Sequence, residues 1–259
     1  MKRVIMFTLL SFSLHAGGVT NLSVTEKNQI LENSQINEAT VRQGEINVKG
    51  DSTLLDVQVG DAQSQNLISA TTIEHSELQQ GGLDVNGSKL LHTEILVNNQ
   101  LLESHIKTGS HVKQGTVKIT DNGEIKESSF SLSNTINGAT IDNTTLSQSE
   151  IIVEHSTVEG LTFTGVHTIT NESESISIIN SDVTQGKLSV IGNSSLTNST
   201  IDMQSNIEDT AISNSSVDLC SIYLSSGANV NGANIHGECS MTESTIVGAN
   251  VTQGSVVVY

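Results

Sequence analysis

Small and aliphatic side chains recur along this chain at fixed offsets. Aligned on Val41, Leu78, Val112, Leu146, Val183, Val217 and Val251, the spacings are 37, 34, 34, 37, 34 and 34. Two residues before each anchor stands a small residue: Ala39, Ser76, Ser110, Thr144, Ser181, Ser215 and Ala249. Five and seven after it stand aliphatics, from Ile46 and Val48 in the first unit to Val256 and Val258 in the last. The anchor and the fifth residue after it differ in parity, so a straight strand cannot point both to one side. A bend must separate them. Gly44, Gly81, Gly115, Gly186 and Gly254, three residues after their anchors, supply a backbone that bends readily. The pattern predicts strand, bend, strand in every unit. β-Branched residues dominate, and the 3.6-residue period of a helical repeat is missing.

A shorter period lies within this one. Val112, Phe130 and Leu146 are 18 and 16 apart, and Val183, Ile201, Val217, Ile235 and Val251 repeat the alternation. Ser128, Ser199 and Ala233 again put a small residue two before the half-unit anchors. The expected fold is all-β: a parallel β-helix (β-solenoid) of about 17-residue coils paired into 34–37-residue repeats. Residues 31–259 would then make about 13 coils, a rod of about 60 Å at ~4.8 Å per strand. The sequence has no proline, as stacking demands, because proline cannot donate to the coil next to it.

Gln follows two residues after the anchor in six of the seven units, at Gln43, Gln80, Gln114, Gln148, Gln185 and Gln253, while the sixth unit has Leu219 and Cys220 in the Gln-Gly slots. Were 34 residues one large coil, these amides would stack as a ladder at ~4.8 Å. With 17-residue coils they lie too far apart to bond, and the expectation is a structural role at repeat corners. Cys220 and Cys239 are 19 residues apart. On 17-residue coils they fall on adjacent coils at nearly one azimuth, within reach of a disulfide.

The N-terminus narrows the compartment. Lys2 and Arg3 precede an apolar run from Val4 to Leu14, followed by small Ala16, Gly17 and Gly18. This three-part pattern predicts a signal peptide over 1–18, then an N-terminal segment over 19–30 and the solenoid over 31–259. The run is too short to span a bilayer, so no membrane span is expected after cleavage, and the disulfide fits an oxidising destination. The formal net charge is −17 and becomes more negative once Lys2 and Arg3 leave. Such a chain is repelled by phosphate backbones, so no nucleic-acid partner is expected.

Little points to chemistry. His75, His92, His105, His111, His155, His167 and His236 form no compact metal-ligand spacing, and surface positions at coil corners are expected for them. Asp121, Asn122, Gly123 and Glu124 make a turn that lacks the later ligands of a calcium loop. No paired carboxylates for glycan cleavage and no nucleophile elbow are found, and aromatics make up only 2% of the chain. No catalytic, cofactor or metal site is expected, and the protein is read as not an enzyme.

At the finest scale there is a five-residue beat, as in Ile136, Ile141, Leu146 and Ile151. Fragments such as Ala-Asn-Ile-His-Gly (233–237), Ser-Thr-Ile-Val-Gly (244–248) and Ala-Asn-Val-Thr-Gln (249–253) resemble the pentapeptide-repeat family. The resemblance implies a four-sided β-solenoid with the central aliphatic inside. The export signal with Gln- and Gly-marked repeats is also distantly similar to curli-type functional amyloid subunits. The function expected is that of a secreted structural or adhesive protein: a fibre subunit, biofilm-matrix component or surface adhesin. The alternatives are an acidic binding module of the pentapeptide type that mimics nucleic acid, and a polysaccharide-active β-helix enzyme. The repeat fills its slots up to Val256 and Val258, with Tyr259 last. These three residues are expected to form an assembly edge for self-association or another cell-surface protein.

Overall fold

The computed structural model describes residues 12–15, 17–24, 27–31, 34–61, 64–170, 176–208, 210–225 and 227–258. These form four parallel sheets and no helix. The chain winds through the sheets in a fixed order. A long strand such as Glu77–Asn86 is followed by a short one, Lys89–Leu91, a second long one, Glu94–Leu102, and a second short one, His105–Lys107. The next turn then begins at His111, directly beside Glu77. Three of the sheets are seven layers deep along the stack, which is about 34 Å at ~4.8 Å per layer. The all-β solenoid expected from the repeat is the fold of the chain.

The 34–37-residue repeat is one full turn, and the 17-residue unit is half of it. Val41, Leu78, Val112, Leu146, Val183, Val217 and Val251 form one column of directly paired residues. The half-unit anchors Phe130, Ile201 and Ile235, joined by Ile95 and Phe163, form another, on the opposite long face. The expectation of 17-residue coils is therefore corrected. Each turn has two similar halves, one long side plus one short side, and a period read along the chain cannot tell a half-turn from a turn.

The spacing of 37 keeps the same register. In the first such turn Val59 pairs with Ile95 and Asn66 with Asn99, so the strands on either side of the extra residues stay aligned. The turns also begin earlier than residue 31. Gly18–Thr20 pairs with Thr53–Leu55, and Lys27–Ile30 with Gln65–Ile68. Much of the expected leader lies outside the described residues. Within it, Phe12–His15 pairs in parallel with Ile46–Lys49.

Corners are made by two devices. One residue at each takes a left-handed backbone, as in the stacked column Glu38, His75, Asn143, Asn180 and Asn214, all at φ 47 to 50°. Close behind comes the small residue, usually Ser. Its hydroxyl donates to the carbonyl two or three residues back and accepts the same position's N–H from the turn before. Ser181 Oγ, for example, donates to Ile179 O at 2.7 Å and accepts from Thr144 N at 3.2 Å. Such short hydroxyls satisfy corner backbone that no strand pairs.

Candidate functional site: a buried amide waist and an open end

The interior is divided by a polar partition. After the anchor, the second residue points to the same side, so the Gln column faces inward. Gln43, Gln80, Gln114, Gln148 and Gln185 are fully buried, in the middle of the long strand. Their expected place at repeat corners is corrected. On 34-residue turns they are adjacent, and each later Gln donates its Nε2–H to the Oε1 of the one before, at 3.0, 2.7, 2.7 and 2.5 Å. Gln253 occupies the same column beside Leu219 but is exposed.

A second ladder faces the first from the opposite long strand. Asn28 donates to Asn66, Asn66 to Asn99 and Asn99 to Asn134, at 2.9, 2.9 and 2.7 Å. Here each earlier residue donates to the later one, so the two rows of amide dipoles run in opposite senses. This column was missed in the sequence reading. Its signal is an Asn four residues after the half-unit anchors Ile95 and Phe130.

The glycine after Gln43, Gln80, Gln114 and Gln185 lets the two long strands close on this waist, and after Gln148 Ser149 takes the same left-handed backbone, at φ 50°. At Gly44 (φ 63°) a Cβ would stand 2.5 Å from Asn66 Nδ2, which no real contact allows. At Gly115 (φ 67°) it would stand 2.9 Å from Asn134 Nδ2. The waist splits the apolar interior into two columns. One contains Ile46, Val48, Leu54 and Ile95, the other Val41, Ile68, Ile73 and Ile106.

Toward the C-terminal end the ladders change chemistry. The Asn column continues through His167 and Ser205 to Cys239. Cys220 takes the Gly slot, at φ 55°, and is bonded to Cys239 with Cα atoms 6.3 Å apart. The disulfide therefore crosses the waist within one turn rather than linking adjacent coils as expected, because each turn holds both long strands.

His167 is buried, unlike the surface histidines foreseen. Its Nδ1 accepts from Asn134 Nδ2 at 3.2 Å, and Nε2 has no partner among the described residues. Burial drives its pKa down to about 3. The folded state thus holds neutral imidazole while the unfolded chain titrates near 6.5. The stability so conferred is whole above pH 6.5 and falls by about 1.4 kcal/mol per pH unit between there and about 3. His167→Asn, which carries the amide of the column onward, is expected to remove that slope. Denaturant midpoints of both proteins across pH 4–7 check it.

The other histidines are at the surface. His75, His92 and His155 occupy left-handed corners, and exposed His92 lies between Asp56 and Glu127 of the adjacent turns, at 3.4 and 3.0 Å. Glu124, from the expected turn, accepts hydrogen bonds from Lys126 and Lys89 that hold its carboxyl below the usual range. Among the described residues no group of His, Cys, Asp or Glu is placed to hold a metal ion.

Among the described residues, the last turn is open. Val251, Val256 and Val258 sit in the columns of Val217, Ile222 and Leu224. Yet Val256 and Val258 are 63% and 70% exposed, against 1% for Val217. Tyr259, the third residue of the expected edge, lies outside the described residues. Compared with known proteins, the chain matches no protein-family model and no curated protein.

Proposed function

We propose that this protein is an exported structural or adhesive rod, a component of a surface fibre or extracellular matrix. The observation that carries this reading is the in-register stack itself. Interior side chains bond or pack largely with the same position one turn away, and the outer faces present rows of short hydroxyl, amide and scattered charged groups. A stack built from nearest-neighbour interfaces is stiff and extendable. The disulfide across the waist supports an oxidising destination, and so does the leader-like N-terminus.

The test is where the protein is found and what its loss does. Intact cells of its source should yield it to added protease or in the medium, with Cys220 and Cys239 unreactive to thiol reagents until reduced. Deleting it should weaken surface attachment or the matrix. Recovery only in the cytosol with both thiols free would overturn the reading.

A further inference from the structure

We propose that the open last turn docks the first turn of a second copy, and that the strand Phe12–His15 occupies the same edge until the leader is removed. This inference rests on the export reading above. On each face, the turn that ends at Val258 offers the next layer a strand position, and the first turn has a matching strand. Following the columns around the molecule, Val19 falls on Val230 and Ile30 on Met241. In the same way Ile36 falls on Ile246, Val41 on Val251, Ile46 on Val256 and Val48 on Val258. Aliphatic or Met meets aliphatic on all four faces.

Two polar observations favour a second copy over other apolar partners. Gln43 Nε2 is buried with no partner among the described residues, and Gln253 is exposed in the same column. In the Gln ladder the later residue donates to the earlier within one chain, so the turn that follows in the stack donates downward. Gln43 of the second copy would donate to Gln253 Oε1 in that sense. Asn28 falls in the column of Cys239, so docking in that register would bring Lys27, one residue before it, beside Glu238, with opposite charges together.

Phe12–His15 pairs with Ile46–Lys49, the first-turn edge of each copy that Val256–Val258 of its neighbour would need. One edge cannot pair with both. While it is attached, the leader strand blocks stacking. Its removal leaves Thr40–Lys49 free, and head-to-tail docking then repeats without closing, which generates filaments.

The test compares the chain recovered after export, with 1–18 removed, and the unprocessed full chain made by cell-free synthesis in a glutathione redox buffer. Sedimentation and electron microscopy should show filaments with an axial repeat of about 34 Å for the first and monomers for the second. Processed V256K/V258K should remain monomeric with an unchanged circular-dichroism spectrum, since both side chains are exposed. Processed Gln253→Leu should need about a fivefold higher concentration to assemble, one lost hydrogen bond. A processed wild-type chain that stays monomeric at all concentrations would overturn stacking, even if the protein is exported. Equal assembly of V256K/V258K would overturn this edge, and equal assembly of the unprocessed chain would overturn the leader's role. Cytosolic retention would sink the export reading alone.

Discussion

Val217→Asp is expected to destabilise the protein by at least about 4 kcal/mol, the range of an unpaired buried charge. Val217 is 1% exposed and pairs with Val183 on one side and Val251 on the other. Its cluster consists of residues such as Ile178, Val183, Ile207 and Ile212, which offer a carboxylate neither cation nor donor. The side chain must stay protonated, reach solvent by unravelling the last turns, or unfold the chain. Nearest-neighbour stacking makes the second outcome local at first, so hydrogen exchange should quicken from residue 216 onward before the melting temperature collapses. An unchanged melting curve would place Val217 outside the core.

Gln114→Leu is expected to cost roughly 2–5 kcal/mol although leucine is apolar and of similar size, because two buried amide groups lose their partners at once. Gln80 Oε1 accepts from Gln114, and Gln148 donates to it, both at 2.7 Å. Neither can turn to water, since both neighbours are fully buried. At about 2–4 °C per kcal/mol for a chain of this size, the melting temperature should fall on the order of 10 °C. Gln253→Leu, in the same column but exposed, serves as the control and should leave the melting temperature of the monomer nearly unchanged. Equal melting of the Gln114 variant and wild type would show the ladder to be energetically idle.

That ladder also marks where the sequence reading stopped short. Each Gln lies two residues from its anchor, on the anchor's side of the strand, and a 34-residue coil is the condition under which such amides stack. The corner assignment followed from choosing half the true turn. The two halves of a turn share the small-x-aliphatic pattern, since both must make a corner and fill a core. Only the waist residue tells them apart, Gln on one half and Asn on the other. His167 was hidden for the same reason: a histidine looks like a surface residue until its column places it behind Asn134.

Some features of this protein are set by the sequence alone. The β-branched repeat and the lack of proline dictate parallel stacking, since only strands in register bury that pattern and keep every N–H available to its neighbour. The Gly after five of the six Gln residues dictates a bend, because parity must change there. Tertiary structure decided the rest. It set the number of residues per turn, because that depends on which strands meet across the stack rather than on which resemble each other. It also decided that Cys220 meets Cys239 within one turn, and that two rows of amides with opposed dipoles divide the core. Those facts arise from the distance between two long faces, which no local pattern encodes.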